Sequence, residues 1–287
     1  MKKVLYVATV VKTHIMEFHI PYLKMLKEMG WETAVASRND YENPEDCIIP
    51  FCDSYYDIPF KRFPFHKGNL KAYKMLKKLI ENGEYDVVHC HTPVGAMLAR
   101  LAARKARKNG TKVFYTAHGF HFFKGAPAVN WLLYYPVERV LSRLTDVLIT
   151  INKEDFERAK KFHAKKVMYV PGVGISIAKF SVDLSMRALK RQELGVEKEF
   201  VVLSVGELIK RKNHVVVLEA LAILKEQEKL SGIRYLICGR GEILEELKLQ
   251  VRQAGLEECV CFLGYRNDIS DTDKNQYVHN DKIHIQV

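Results

Sequence analysis

Val201-Val202-Leu203-Ser204-Val205-Gly206-Glu207-Leu208-Ile209-Lys210-Arg211-Lys212-Asn213-His214 is the stretch on which the fold turns. Five residues, four of them apolar, read as a buried strand. A glycine follows at the strand's end, then a short loop with three consecutive basic residues. The apolar pattern after Asn213 predicts a helix starting near that residue. A helix N-terminus leaves backbone N–H groups unpaired and carries partial positive charge, so this loop gathers cations and N–H donors where a phosphate or diphosphate could sit.

Working outward, strand and helix alternate along the chain. Before residue 180 the apolar runs predict strands over Lys3–Val11, Glu32–Ala36, Asp86–His91, Lys112–Ala117, Asp146–Ile151 and Val167–Val170. Helical patterns occupy His14–Met29, Leu70–Ile80, Val94–Lys108, Asn130–Leu144 and Lys153–Lys161, several of them ended by glycine. A mixed-polarity linker runs from Ser176 to Gly195. The pattern then restarts with strands Val201–Val205, Arg234–Cys238 and Cys259–Leu263, separated by helices Asn213–Glu228 and Glu242–Ala254. The strands are short, valine-rich runs without polar alternation, as expected for strands covered on both faces. Alternation with helices implies right-handed crossovers and a parallel sheet. The fold class is therefore α/β, with two Rossmann-like doubly wound domains: residues 1–180 and 195–269, the second incomplete. Residues 270–287 lose the pattern and read as an unrelated tail.

Composition narrows the function. The apolar fraction of 48% is that of a soluble globular chain, and the first apolar run, Val4–Val11, is too short to span a bilayer. The net charge of +11 is uneven: residues 1–190 hold 31 Lys and Arg against 18 Asp and Glu, and residues 191–287 hold 14 against 16. The excess sits on Lys71, Lys74, Lys77, Lys78 and on Arg100, Arg104, Lys105, Arg107, Lys108. It reads either as a solvated helix face or as a surface for anionic membrane. No nucleic-acid module is visible, so nucleic acid is not an expected partner. Six cysteines without a Cys-x2-Cys pair fit reduced thiols in a cytoplasmic protein, with Cys90, Cys238, Cys259 and Cys261 inside strand-like runs.

In open parallel sheets ligands bind beyond the carboxyl ends of the strands. The chemically distinctive residues gather there: Thr13 and His14 after the first strand, His91 after Asp86–Cys90, His118 after Lys112–Ala117. In the second half Gly206 to Lys212, Gly239-Arg240-Gly241 and Gly264-Tyr265-Arg266 take the equivalent places. Two such sheets facing across a hinge would enclose a cleft. His89, His91, His118 and His121 could instead form a metal site, but no carboxylate or helical histidine pair accompanies them, and no metal is expected.

Thr116-Ala117-His118-Gly119-Phe120, Asp86 to Pro93, Val170-Pro171-Gly172-Val173-Gly174-Ile175, and Val205-Gly206-Glu207-Leu208 with Lys212-Asn213 resemble the family-4 retaining glycosyltransferases of GT-B fold, particularly those of bacterial exopolysaccharide and capsule assembly. The resemblance runs from about Lys2 to Arg266. It implies transfer of a hexose-type sugar from a nucleotide-sugar, with retention and without cofactor or metal, to a saccharide or polyprenyl-linked acceptor. The chain would then lie in the cytoplasm or peripherally at the inner face of the cell membrane.

The resemblance also implies roles for single residues. His118 matches the histidine that contacts the donor sugar, and Lys212 the lysine on the donor diphosphate. Gly239-Arg240-Gly241 matches a glycine turn near the nucleotide, and Tyr265 and Arg266 the segment that meets the base. Two departures stand out. Glu207 occupies a position usually held by arginine, for which Arg211 or Lys210 could substitute. The Glu-x7-Glu segment that holds sugar and ribose in the family has no counterpart. The chain therefore reads as truncated, with Val201–Val205 an exposed edge strand, a marginal second domain and low or absent activity. The competing expectation is a non-catalytic nucleotide-binding or membrane-associated scaffolding remnant; a GT-B-like epimerase or phosphorylase lacks recognisable acid/base or Schiff-base residues.

Overall fold

The computed structural model describes residues 1–174, 184–266 and 268. The expected tail, Ile175 and the first part of the expected linker lie outside the described residues. The chain divides after Gly174 into two compact units.

Unit 1 is a sheet of seven parallel strands. In chain order these are β1 (Lys3–Val10), β2 (Glu32–Arg38), β3 (Ser54–Asp57), β4 (Val87–His91), β5 (Lys112–Ala117), β6 (Val147–Thr150) and β7 (Lys166–Tyr169). Their spatial order is β3-β2-β1-β4-β5-β6-β7, so the chain winds outward from β1 first one way and then the other. β1 is buried from Val4 to Val10, as a central strand covered on both faces must be. Strand β3 was not expected. Its Ser-Tyr-Tyr-Asp sequence carries no apolar run because it closes an edge, where half-exposed polar residues are tolerated.

The helices of unit 1 are α1 (Met16–Phe18), α2 (Ile20–Glu28), α3 (Gly68–Asn82), α4 (Pro93–Ala102), α5 (Arg104–Lys108), α6 (Ala128–Leu141) and α7 (Lys153–Ala159). The single helix expected over His14–Met29 is broken. A π-type turn spans Val11–Ile15, α1 follows, and His19 interrupts the chain before α2, whose first turn contains Pro21. Proline has no N–H to continue a preceding helix, which accounts for the restart.

Two internal ion pairs remove cations from the expected basic face. Arg100, 1% exposed, meets Glu138 in a two-pronged contact of 2.8 and 3.1 Å, linking α4 to α6, with its guanidinium 4.3 Å from the Tyr115 ring centre. Arg107 is similarly bound to Asp146 by two 3.0 Å bonds. What remains solvent-facing there is a groove of about 690 Å3 whose wall includes Lys77, Arg104, Lys105, Lys108, Arg143 and Lys165.

Unit 2 opens with α8 (Leu184–Glu193) and holds a three-stranded parallel sheet of β8 (Phe200–Val205), β9 (Ile233–Cys238) and β10 (Val260–Gly264), ordered β10-β9-β8. Among the described residues β8 is an edge. Helices α9 (Val215–Glu226) and α10 (Leu244–Gln253) bury Leu218, Leu221, Leu247 and Val251 with Tyr235 and Ile237 of β9. The opposite face carries a smaller cluster of Val196, Val201, Leu203, Leu236 and Cys238. Cys261 is exposed on β10, an edge strand among the described residues, against the expectation of a buried thiol; Cys90, Cys238 and Cys259 are buried.

Removing one partner of a buried ion pair strands the other charge. Glu138→Ala should therefore cost about 3–5 kcal/mol of unit 1 stability, and the double replacement Arg100→Met with Glu138→Leu should recover most of it. Denaturant melts of the three proteins, followed by hydrogen exchange in α4, test this.

Candidate functional site

In unit 1 the site is built where the winding reverses, between β1 and β4. Thr92, just beyond β4, has φ of 59°, a region β-branched residues rarely enter. It is held there because its hydroxyl accepts the Thr9 N–H at 3.0 Å and meets the Thr9 hydroxyl at 2.7 Å. The helix that follows packs so tightly on β1 that a Cβ at Gly95 would sit 2.8 Å from the Thr92 hydroxyl and 3.2 Å from Ala8 backbone.

This junction brings His14, His91 and His118 together. His91 ends β4, His14 lies in the π-type turn after β1, and His118 follows β5. Buried Asp155 holds the His118 loop by accepting the Phe120 N–H at 2.9 Å, while Asn152 caps α7 by accepting the Asp155 N–H at 2.8 Å. His118 Nε2 and His91 Nδ1 are 3.4 Å apart, and the His14 and His118 rings meet edge to face at 4.8 Å.

A fourth histidine, His19, was not anticipated. In an unbroken α-helix residues five apart point about 140° from each other. The π-type turn and the break at His19 close that angle, and the His14 and His19 ring centres are 5.0 Å apart. Burial, reinforced by neighbouring imidazoles, pushes the pKa of His14 down to about 4 and of His19 to about 2, and holds His91 well below its usual value; burial also lowers His118. These rings are neutral at neutral pH.

The four-histidine grouping weighed from the sequence is thus corrected in membership. His89 instead bonds Thr116 Oγ1 at 2.9 Å, and His121 stacks on Tyr134 at 4.7 Å. Thr13 and His14 also border a cavity of about 290 Å3 shared with Thr9, Arg62, Thr92 and Tyr134.

In unit 2 the loops after all three strands meet in a cavity of about 510 Å3. Gly206, Glu207, Gly239, Arg240, Tyr265 and Arg266 line it. The loops are joined backbone to backbone. Gly206 N–H donates to Cys238 O at 3.0 Å, Gly239 N–H to Gly264 O at 2.8 Å, and Leu208 N–H to Arg240 O at 2.9 Å. The glycines permit this approach: a Cβ at Gly239 would lie 1.8 Å from Gly206 O, and one at Gly241 2.2 Å from Leu208 O. Gly241 therefore supports the loop from beneath and is not part of the cavity wall.

The three basic residues do not converge. Lys210–Lys212 form a single 3-10 turn on which Lys210 and Arg211 are exposed. Half-buried Lys212 folds back toward Gly206, its Cε 3.8 Å from where a Cβ there would stand. Asn213, at φ of 51°, is a left-handed joint, and α9 starts only at Val215. Buried His214, the residue before α9, sits with Nε2 3.3 Å from Glu207 O, a contact with no signature in the sequence pattern. Arg240 lies over the exposed Tyr265 ring at 5.5 Å. The Arg266 side chain is engaged by Asp268 and Glu193.

Comparisons with known proteins bear on the family and the fold. A family model described as "Glycosyl transferase 4-like" matches residues 3–152, and "Glycosyl transferases group 1" matches residues 186–283. The chain belongs to the group 1 glycosyltransferases, with a family-4-like N-terminal domain. Among its relatives, EpsD of Bacillus subtilis (strain 168), named as a candidate glycosyltransferase, is 43% identical over 274 residues, covering 94% of this chain and 70% of that protein. A UDP-Gal:alpha-D-GlcNAc-diphosphoundecaprenol alpha-1,3-galactosyltransferase of Escherichia coli is 31% identical over 206 residues, covering 70% of this chain and 52% of the enzyme. The fold matches the crystal structure of Anabaena HepE in complex with UDP, with a TM-score of 0.70 at 20% identity over 95% of this chain and 71% of that one. That structure shares the GT-B glycosyltransferase fold, as does WaaG, a glycosyltransferase of lipopolysaccharide biosynthesis, at a TM-score of 0.65 and 18% identity over 94% of this chain and 72% of that one.

The glycine contacts set the cost of change. Gly239→Ala should destabilise unit 2 by roughly 2–5 kcal/mol through overpacking and backbone strain, while Arg240→Ala next to it should change little. Limited proteolysis and hydrogen exchange, read separately in β8–β9 and in β1–β4, should show loosening confined to unit 2.

Proposed function

We propose that this chain transfers a hexose-type sugar from a nucleoside diphosphate sugar to a lipid-linked saccharide, with retention at the anomeric carbon, in assembly of a bacterial exopolysaccharide. The observation that carries the reading is the cavity of unit 2, where Lys212 folds over Gly206 beside the walls formed by Gly239, Arg240 and Tyr265. The donor's diphosphate takes the end nearest Lys212, and the base takes the side of Arg240, Tyr265 and the Arg266 backbone. Lys212 then stabilises the negative charge that grows on the leaving diphosphate, an interaction stronger in the transition state than in the ground state. Glu207 cannot supply a second cation. The exposed Arg211 is the candidate for that role, by movement of its long side chain.

His118 is proposed as the contact to the donor sugar. Thr13, His14 and His91, at the switch point of unit 1, are proposed to border the acceptor. The names of the relatives support the substrate classes: one transfers from UDP-Gal to a diphosphoundecaprenol-linked sugar. The reading needs no metal or organic cofactor for the transfer step.

No helix among the described residues is long and apolar enough to cross a membrane. The basic groove of unit 1, with Lys77, Arg104, Lys105, Lys108, Arg143 and Lys165, is proposed to hold the protein on an anionic bilayer where the lipid-linked acceptor resides.

Calorimetry with UDP- and GDP-sugars, followed by turnover on a polyprenyl-diphosphate sugar, tests the reading. Lys212→Ala should weaken nucleoside diphosphate binding about 10- to 100-fold while leaving free nucleoside unaffected, as expected for loss of one charge-assisted contact. Equal binding by the variant, or binding of neither sugar nucleotide, defeats the proposal. NMR of the product should show the donor's anomeric configuration. Co-sedimentation with vesicles containing phosphatidylglycerol should fall as salt rises, and fall further in Lys105→Glu with Lys108→Glu.

A further inference from the structure

We propose that His14, His19, His91 and His118 form a binding site for one divalent transition-metal ion of the zinc type. Each offers a ring nitrogen, and the four atoms lie within 4.8 Å of one another. The inference rests on unit 1 alone and not on the transferase reading.

Unmet bonding points to a ligand. The Nε2 atoms of His14, His19 and His91 are buried with no hydrogen-bond partner, and the three residues are 8%, 3% and 2% exposed. A neutral imidazole carries one donor and one acceptor nitrogen, and leaving a buried polar atom unpaired forfeits its hydration with nothing in return. Three such atoms on neighbouring rings form a cost that a packed aromatic core would not accumulate. Phenylalanine and leucine would fill the same space without it.

Geometry supports the same answer. Zinc–nitrogen bonds of 2.0–2.1 Å in a tetrahedron put ligand atoms roughly 3.3 Å apart. The four candidate ligand atoms lie within 4.8 Å of one another, so a modest contraction onto an ion brings them to that edge. Four nitrogen donors suit zinc, copper or nickel, and the site offers magnesium and calcium none of the oxygen ligands they prefer.

A closed four-ligand site is structural in character. It would tie the π-type turn after β1 to the ends of β4 and β5. A ligating histidine keeps its second ring nitrogen as an N–H donor, so the metal would fix the tautomer of His118 without removing it from the site.

The test uses the full chain and metal content. After chelator treatment and dialysis against Zn2+, elemental analysis should find about one zinc per chain. Co2+ in its place should give the intense visible absorption of a tetrahedral site. His19→Ala and His91→Ala should each weaken binding at least about ten-fold, whereas His163→Ala, an exposed histidine, should not change it. Because an alanine variant could misfold, thermal melts accompany each protein: zinc should raise the melting temperature of the parent and of His163→Ala, and leave that of the conservative His14→Gln unmoved. Absence of stoichiometric zinc in the folded parent overturns the proposal. So does zinc retained in the His19→Ala, His91→Ala double variant, or lost equally in His163→Ala.

Discussion

The pairing of β1 with β4 is the contact on which unit 1 depends. Val4 to Val7 run alongside Val87 to Cys90 in parallel register at the point where the winding of the sheet reverses. The chain leaves β1 toward β2 and leaves β4 toward β5, so the two exit loops diverge and a crevice opens between them. The crevice is stabilised by an unusual backbone. Thr92 takes a conformation disfavoured for its side chain because two bonds to Thr9 hold it, and Gly95 lets the next helix close over Ala8. That combination fixes where His91 ends and which way it presents its ring.

Unit 2 solves the same problem by a different means. Its described strands run outward in one direction, so no reversal opens a crevice. The exit loops are instead pressed together through glycines, with carbonyls of one loop where side chains of the next would stand. The cavity is what remains beyond that contact. Its wall combines Gly206 and Gly239 with the side chains of Glu207, Arg240 and Tyr265.

The architecture was legible in the sequence because parallel strands buried on both faces must be apolar throughout, and nine of the ten described strands are read from that fact alone. Strand β3 was not, since an edge strand such as Ser54–Asp57 is released from the constraint that makes the others visible. Loop residues at strand ends were found for the same topological reason. Details failed where short-range geometry overrides periodicity. The apolar rhythm of His14–Met29 hides a π-type turn, and with it the position of His19. The run Lys210-Arg211-Lys212 suggests three convergent charges, but a 3-10 turn advances about 120° per residue and fans them apart. Arg100 looked like surface charge because nothing nearby in sequence reveals Glu138, thirty-eight positions away.

The two units also treat charge in opposite ways, and the contrast follows from desolvation. Ionised lysine or arginine is too costly to bury without a partner, so Lys210, Arg211 and Arg240 stay exposed and the buried Arg100 needs Glu138. Imidazole can be buried by shedding its proton, and the cluster of unit 1 uses that freedom repeatedly. A pocket lined by neutral imidazoles has no long-range attraction for phosphate, but it retains lone pairs and N–H groups that select ligands at contact distance. A group of exposed cations does the reverse: it acts over roughly the Debye length and discriminates little.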